Sequence, residues 1–342
     1  RDYVYGLNMA KISLLGCGTW GSALAQGLAE NNHEVKAWHY KRDAVAKMAL
    51  SRKHPRLKDF TFKPNIKFDA DLKSCLTSAE CVVVAVPSHA VRDIIEKARG
   101  HIPDDAVIVN VAKGVENGTL ETMSEVISDA SGHKLEYIVS LYGPSHAEEV
   151  IDGHPTTLVS ASISNRSAEF IQTIFSSQIL RVYTNHDIRG VELGGSLKNV
   201  IAIAAGICDG IGFGDNTKAA LLTRGIAEIT RLGIKMGANP DTFSGLSGIG
   251  DLIATCLSRH SRNRFVGEKI GEGKSLGSIL EEMDMVAEGV KTTQSVHDLS
   301  EKFDVEMPIS EGVYQILFNG KDPKKIVTQL MTRDLIHERN KP

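Results

Sequence analysis

Lys198 and Asn199 stand at the mouth of the apolar run "VIAIAA", residues 200–205. A buried ammonium is costly unless it is paired or able to lose its proton. Gly194 and Gly195 lie four and three residues before Lys198, so a helix through this stretch would place them beneath the lysine side chain. We expect this bare helix face to leave room for a ligand. The alternative is a lysine that extends from a helix end to water.

Asp251, Thr255 and Lys113 are candidate partners of this lysine. Asp251 opens the run "DLIATC", where it would either cap a helix or bond the lysine or a substrate hydroxyl; the residues alone leave both open. Thr255 lies four residues later, on the same face of a helix. Lys113 follows an apolar strand and is a plausible second cation. Because burial and a nearby cation lower a lysine's pKa towards neutrality, Lys198 is suited to act as a general acid and base.

The stretch "SRNR", residues 261–264, is a candidate anion site. Ser261 is a favoured residue for a helix N-cap, which would place Arg262 and Asn263 in the first helical turn. An arginine beside a helix N-terminus combines a bidentate fork with free backbone N–H groups, and both suit a phosphate. A solvated, charged turn is the alternative.

A glycine-rich turn, "GCGTWG" at residues 16–21, joins the apolar run "KISLLG" to a segment with helical periodicity at residues 19–31. Its pattern is G-x-G-x-x-G. Gly16 permits a tight turn, Gly18 lets a pyrophosphate approach the backbone, and Gly21 lets the helix pack close to the strand. Since the helix N-terminus also offers free N–H groups, this context predicts a dinucleotide site rather than a merely tight turn.

The end of the second strand indicates which dinucleotide the site accepts. An NAD-only site usually has an acidic residue there that bonds the ribose 2′-hydroxyl. Here the sequence is "AWHYKRD", residues 37–43, in which Lys41 and Arg42 take that place. Two cations suit a 2′-phosphate, so acceptance of NADP is favoured over strict use of NAD. The alternative is a solvated start to the next helix.

Further apolar runs alternate with helical segments through the first half of the chain. We predict strands at residues 11–16, 33–38, 80–87, 106–112, 136–144 and 178–185. Short apolar strands separated by helices predict a doubly wound, mainly parallel sheet with helices on both faces, the α/β Rossmann class. From about Asp187 onward the patterns are helical. We therefore predict a dinucleotide-binding domain over residues 10–186 and an all-helical substrate and catalytic domain over residues 187–342.

The composition argues against several classes of protein. The chain has 342 residues, a net charge of -3 and scattered basic residues, which gives no reason to expect nucleic-acid binding. Its five cysteines form no C-x-x-C pair, and no histidine cluster has the spacing of a metal site. No apolar stretch reaches the roughly 18 residues that a membrane span needs, and the start, "RDYVYGLNMA", lacks the apolar core of a signal peptide. We expect a cytoplasmic protein with buried, free thiols.

Seven motifs occur in an order that resembles a known family. They are "GCGTWG", "AKG", "GPSHAEE", "ELGGSLKNVIAIAAG", "GDNTKAALLTRG", "GIGDLIATC" and "SRNR". Together they resemble the NAD(P)-dependent sn-glycerol-3-phosphate dehydrogenases, especially the bacterial type, over nearly the whole chain. The resemblance implies reversible reduction of dihydroxyacetone phosphate to sn-glycerol 3-phosphate, the backbone precursor of phospholipids. It also implies NADP(H) or NAD(H) as cofactor, a homodimer, and no membrane span.

The same resemblance assigns roles to individual residues, to which we add Gly16, Gly18 and Gly21 from the glycine-rich turn and Asn199 and Thr255 from their positions beside Lys198 and Asp251. Lys198 corresponds to the family's catalytic lysine, and we add Asp251 and Lys113 to the catalytic set. The expected cofactor-binding residues are Gly16, Gly18, Thr19, Trp20, Gly21, Tyr40, Lys41, Lys113, Ala147, Arg262, Val286 and Glu288. The expected substrate-binding residues are Lys113, Gly143, Ser145, Lys198, Asn199, Asp251, Thr255, Ser261, Arg262 and Asn263.

Two other functions compete with this interpretation. One is a β-hydroxyacid dehydrogenase that acts on a carboxylate substrate and shares the glycine-rich turn and the helical second domain. The other is a dinucleotide-binding sensor or scaffold without turnover. "SRNR" and "GPSHAEE" argue against the first, and the set of Lys198, Asp251 and Arg262 argues against the second, since a sensor needs no proton donor.

Overall fold

An eight-stranded sheet forms the first half of the chain in the computed structural model, which describes residues 9–283, 287–335 and 337–338. The strands are β1 (Lys11–Leu15), β2 (Glu34–Trp38), β3 (Ile66–Asp69), β4 (Cys81–Val84), β5 (Val107–Asn110), β6 (Ile138–Tyr142), β7 (Thr156–Ala161) and β8 (Leu180–Asn185). Their spatial order is β3-β2-β1-β4-β5-β6-β7-β8. Neighbouring strands are parallel except β6 and β7, which are antiparallel.

Helices connect the strands and then make up the rest of the described chain. The first group is α1 (Thr19–Glu30), α2 (Arg42–Ser51), α3 (Leu72–Leu76), α4 (Val91–Ala98), α5 (Met123–Ser131), α6 (Ala147–Ile151) and α7 (Asn165–Phe175). The second group is α8 (Ile188–Ile211), α9 (Asp215–Lys235), α10 (Asp251–Leu257), α11 (Arg262–Gly271), α12 (Leu276–Glu282), α13 (Glu288–Phe303), α14 (Pro308–Asn319) and α15 (Pro323–Met331). The sheet ends at Asn185 and the second group begins at Ile188, where we predict that the two domains meet.

The Rossmann-like, mainly parallel sheet and the helical second half are confirmed. Each of the six predicted strands coincides with an observed strand to within three residues at either end. The sequence analysis missed β3 and β7. In β3 only Ile66 is fully buried. In β7, "TTLVSA", half of the residues are threonine or serine. Neither therefore shows the continuous apolar run by which a buried parallel strand is recognised.

Helix α8 is the core of the helical half, and it packs so closely against α11 that the backbones of the two helices are in contact. A Cβ atom on Gly206 would collide with the carbonyl of Arg264, and one on Gly267 would collide with that of Ile203. Such close packing is possible only where both helices carry glycine. By length and composition α8 could also cross a membrane, which the sequence analysis did not predict. Its apolar stretch is wholly buried inside the protein, as expected of a core helix.

Candidate active site

Lys198 projects from the middle of α8 into the protein and is only 4% exposed. Its Nζ lies 2.8 Å from Oδ1 of Asp251 and donates a hydrogen bond to Oγ1 of Thr255. Burial lowers the pKa of Lys198 to about 8, and Lys113 acts in the same direction, while Asp251 opposes them. The alternative of a lysine extended to water is therefore wrong.

Asp251 joins the two lysines of the site. It is the first residue of α10, directly after one turn of π-helix at Leu246–Gly250. Its Oδ2 lies 2.6 Å from Nζ of Lys113, and its Oδ1 accepts a hydrogen bond of 3.3 Å from Thr255. Burial alone would raise the pKa of Asp251, but the two ammonium groups more than offset this and hold it below its ordinary value. Gly250 occupies the N-cap position, so the carboxylate is available to the lysines.

Lys113 enters the site from the loop after β5. Besides Asp251, its Nζ donates to the carbonyl of Gly143 at 3.0 Å and lies 5.7 Å from the centre of the Tyr142 ring. Gly143 has φ +149, and a Cβ there would stand 2.8 Å from a β7 carbonyl, so glycine is required at this turn. Ser145 donates to the same carbonyl of Gly143 at 3.1 Å. With 17% of its side chain exposed, Lys113 is more accessible than Lys198.

The two glycines before Lys198 do not leave room for a ligand, and that expectation is corrected. A Cβ on Gly194 would lie 2.8 Å from the carbonyl of Ser247, and one on Gly195 would lie 2.5 Å from the Tyr142 ring. The protein itself therefore fills the space above both glycines. Gly194 lets the π-helical turn that precedes Asp251 approach α8, and Gly195 lets the end of β6 do the same.

The glycine-rich turn between β1 and α1 has the geometry that a dinucleotide requires. Gly16 has φ +112 and would place a Cβ 2.6 Å from the carbonyl of Ala85. A Cβ on Gly21 would collide with the Gly16 carbonyl, whereas around Gly18 there is open space. No side chain caps the first turn of α1, which begins with Thr19 and Trp20. Space at Gly18 and backbone N–H groups at the helix N-terminus fit a pyrophosphate.

The turn after β2 lies beside this glycine-rich turn, because the N–H of Gly16 bonds the carbonyl of Trp38 at 3.0 Å. Tyr40 is 66% exposed, and the ammonium of Lys41 lies 5.4 Å from the centre of its ring. Lys41 holds the N-cap position of α2, and Arg42 is its first residue. Both cations are exposed and can meet a 2′-phosphate.

Glu288 lies at the start of α13 and contacts the sheet half of the chain. Its Oε1 accepts a hydrogen bond of 3.1 Å from the backbone N–H of Ser88. Burial raises the pKa of Glu288, while Arg262, Lys113 and Lys198 oppose that shift. Ala147 begins α6 and is buried. Val286, the remaining predicted cofactor residue, lies outside the described residues.

The "SRNR" stretch forms the start of α11. Ser261 is its N-cap and accepts a hydrogen bond of 3.2 Å from the N–H of Arg264. Arg262 is exposed in the first turn. Asn263 is buried and accepts from the N–H of Gly289 at 2.9 Å. Its amide therefore links α11 to α13, and the buried Asn199 adjoins the same contact, since a Cβ on Gly289 would lie 2.8 Å from its carbonyl oxygen.

The structure thus brings Lys198, Asp251, Thr255, Lys113 and Gly143 into one chain of polar contacts. Sequence reasoning missed the buried polar residues that support this chain. They are Glu192, Asn110 and Tyr142. The one available signal was a glutamate at the head of the apolar stretch that carries Lys198.

Comparison with known proteins finds a matching family model for each half of the chain. Residues 11–168 match the family model described as NAD-dependent glycerol-3-phosphate dehydrogenase N-terminus, and residues 187–328 match the corresponding C-terminus model. A protein of Salinibacter ruber named glycerol-3-phosphate dehydrogenase [NAD(P)+] 2 is 50% identical, and the match covers 96% of each chain. A protein of Bacillus subtilis named glycerol-3-phosphate dehydrogenase [NAD(P)+] is 48% identical over 96% of each chain.

A solved structure agrees with these matches. The crystal structure of glycerol-3-phosphate dehydrogenase from Coxiella burnetii superposes with a TM-score of 0.91 at 36% identity, over 95% of this chain and 99% of that one. Sequence and fold therefore agree along nearly the full length. The chain belongs to the NAD-dependent glycerol-3-phosphate dehydrogenase family.

Proposed function

We propose that this chain catalyses the reversible reduction of dihydroxyacetone phosphate to sn-glycerol 3-phosphate with NADH or NADPH, and so supplies glycerophospholipid synthesis. The family and the names of its relatives support the activity. The observation that carries the chemistry is the buried ammonium of Lys198, bonded to Asp251 and placed near a second cation. The resemblance also supports a homodimer in the cytoplasm.

Lys198 is the proton carrier in this proposal. When bound, the dinucleotide supplies or accepts the hydride. In reduction, Lys198 donates a proton from Nζ to the oxygen on which negative charge develops, and in oxidation it takes the proton back. Its pKa of about 8 allows both protonation states near neutral pH. Reduction uses the protonated form, and oxidation uses the neutral form.

Asp251 and Lys113 support this proton transfer. The carboxylate of Asp251 accepts from both ammonium groups and fixes their positions. Lys113 is the more exposed cation and can meet the substrate oxygens, and its charge keeps the pKa of Lys198 low. Thr255 accepts from Lys198 and donates to Asp251, so it orients both.

An assay of NADPH and NADH oxidation tests the proposed function. Dihydroxyacetone phosphate is compared with a 2-keto acid and with no substrate. We expect turnover with dihydroxyacetone phosphate in large excess over the keto acid. Preference for the keto acid would support the β-hydroxyacid dehydrogenase alternative, and binding of the dinucleotide without turnover would support a sensor.

Arg262→Ala tests recognition of the phosphate. A charge-assisted bond to phosphate contributes about 1.5–3 kcal/mol, so we expect KM for dihydroxyacetone phosphate to rise by about 10- to 100-fold. For dihydroxyacetone, which has no phosphate, KM should change little. Steady-state kinetics with both substrates measures the difference. Arg264→Ala is the matched control, because that guanidinium bonds Asp209 and Glu268 instead. Equal effects of Arg262→Ala on both substrates would count against this role.

Lys41→Glu tests recognition of the 2′-phosphate. Reversing this charge replaces attraction by repulsion, so KM for NADPH should rise on the order of tenfold or more while KM for NADH changes little. The control is Lys47→Glu, an exposed position on the same helix, which changes the net charge equally. An unchanged ratio of the two KM values would remove Lys41 from this site.

A further inference from the structure

Glu192 is a buried carboxylate on α8, six residues before Lys198 and only 1% exposed. It accepts hydrogen bonds from the N–H of Ser124 at 2.8 Å, from Oγ of Ser124 at 2.6 Å and from Oγ of Ser140 at 2.7 Å. All three donors belong to the sheet half of the chain. The proposed reaction gives Glu192 no role, although burying a carboxylate is costly unless its bonds are well satisfied.

Asn110, at the end of β5, connects Glu192 to the loop that carries Lys113. Its Nδ2 lies 3.4 Å from Oε1 of Glu192 and 3.2 Å from the carbonyl of Ala112, and its two hydrogens are shared between these acceptors and the hydroxyl of Tyr142. Its Oδ1 accepts from the N–H of Ala112 at 3.0 Å. Tyr142 accepts from Asn110 at 2.9 Å and donates to the same carbonyl of Ala112. Both polar backbone groups of the residue before Lys113 are therefore fixed by side chains.

The residue after Lys113 is held by the same helix. Ser196, one turn beyond Glu192 on α8, donates from Oγ to the carbonyl of Gly114 at 3.2 Å. Helix α8 thus holds the loop on both sides of Lys113, directly at Gly114 and through Asn110 at Ala112. The same helix carries Lys198 two residues after Ser196. The spacing between the two lysines and Asp251 consequently depends on how firmly this loop is held.

We propose that Glu192 is a positioning residue, which orders Asn110 and Ala112 and so keeps the ammonium of Lys113 beside Asp251. The inference rests on the proposed function, because it assigns Glu192 to the same reaction. A carboxylate suits this position, since each of its neighbours acts as a donor towards it. A glutamine would turn an N–H₂ group towards at least one of those donors.

The pH dependence of reduction gives a readout specific to this role. If Lys113 moves away from Asp251, it repels Lys198 less and leaves the carboxylate to Lys198 alone. Both effects raise the pKa of Lys198. The alkaline limb of the pH profile, where kcat for reduction falls as Lys198 loses its proton, therefore moves to higher pH. The titratable groups that face Lys198 are Asp251 and Cys256 of α10, Lys113 after β5, His146 before α6 and Glu288 of α13.

Glu192→Gln is therefore expected to move this limb upward by about 0.5–1 pH unit. It should lower kcat on the order of tenfold through misplacement of Lys113. The matched control is Glu228→Gln on α9. Glu228 is also buried, and it accepts from the N–H groups of Ile309 and Ser310 at the start of α14. We expect the control to lower the melting temperature and leave the limb in place.

A double-mutant cycle with Lys113→Met separates positioning from general stability. If Glu192 acts through Lys113, adding Glu192→Gln to Lys113→Met should shift the limb no further. A shift that persists without Lys113, or a limb that does not move in Glu192→Gln, would overturn the inference. Should Glu192→Gln fail to fold, Ser124→Ala removes one donor and should shift the limb in the same direction by less; no shift there would also overturn it.

The wild-type enzyme distinguishes this failure from failure of the proposed function. Wild type that does not oxidise NADH or NADPH with dihydroxyacetone phosphate overturns the proposed function, and the inference with it. Wild type that turns over with an alkaline limb near pH 8, together with an unmoved limb in Glu192→Gln, overturns the inference alone.

Discussion

Lys198→Met is expected to lower kcat for reduction of dihydroxyacetone phosphate by about 10²–10⁴-fold, the range typical for loss of a general acid. The substitution keeps the volume and the apolar stem of the side chain but removes its proton. Dissociation constants for NADH and NADPH should stay close to those of wild type, because the glycine-rich turn joins β1 to α1 and Lys198 is not among the expected cofactor-binding residues. Steady-state kinetics and a fluorescence titration of each cofactor measure the two effects.

Lys198→Arg is the matched control for this variant. Arginine keeps the positive charge but does not release its proton in proteins, so it separates proton transfer from charge. If Lys198 acts as a general acid and base, the arginine variant should be nearly as slow as Lys198→Met. Turnover of Lys198→Met within a few-fold of wild type would disprove the assignment.

Lys198→Met is also expected to change how the stability of the protein depends on pH. The pKa of Lys198 falls from the ordinary 10.5 to about 8 in the folded protein, so between these values the unfolded chain binds more protons. The free energy of unfolding should therefore rise with pH across that window. At pH values below this window Lys198 is charged in both states, and burying the charge lowers the free energy of unfolding by about 3 kcal/mol relative to a lysine with an unshifted pKa. Lys198→Met should lose this pH dependence and unfold at no lower temperature than wild type.

The glycine-rich turn was the more predictable part of the chain, because its signal is local. Gly16, Gly18 and Gly21 lie within six residues and have one physical task each, and the structure finds them in that arrangement. Ser261 as the N-cap of α11 is a similar case, since capping depends on the next three residues. Motifs that depend on only a few consecutive residues can be predicted without knowing what packs against them.

Long-range packing explains what the sequence did not predict. Gly194 and Gly195 leave part of the α8 surface without side chains. Nothing near them in the sequence indicates that Ser247 and Tyr142 fill that space. Strand β7 is held in the sheet by its pairing with β6, but threonine and serine make up half of its residues, so its sequence shows no apolar run. Glu192 was passed over for the same reason, since its donors come from residues 52 to 82 positions away. The pairing of Asp251 with both lysines likewise required the fold.

Asp251→Asn is expected to have the second of the two largest effects, on stability as well as on catalysis. It leaves two ammonium groups near each other without their shared carboxylate. Breaking a buried ion pair from one side costs about 3–5 kcal/mol, because the remaining charge is buried and unpaired. Asparagine has nearly the same shape, so little of this loss comes from packing. Chemical denaturation at pH 7 measures the free energy of unfolding.

The pH dependence of Asp251→Asn has a definite sign. The folded-state pKa of Asp251 lies below its ordinary value of 3.8, so its contribution to stability is complete above that value and disappears as the pH falls through the folded-state pKa. In catalysis, removing the carboxylate lowers the pKa of Lys198 below about 8, so the alkaline limb of reduction should move to lower pH. This is opposite to the shift expected for Glu192→Gln.

A double mutant identifies the origin of the destabilisation. In Lys198→Met the asparagine leaves one buried ammonium group unpaired instead of two, and Lys113 is the more exposed of the pair. Asp251→Asn should therefore cost less stability in that background, with a coupling energy of about 0.5–3 kcal/mol. Equal losses in both backgrounds, together with an unmoved alkaline limb, would mean that Asp251 stabilises α10 alone. Coupling in stability and a shifted limb together require one carboxylate that serves both lysines.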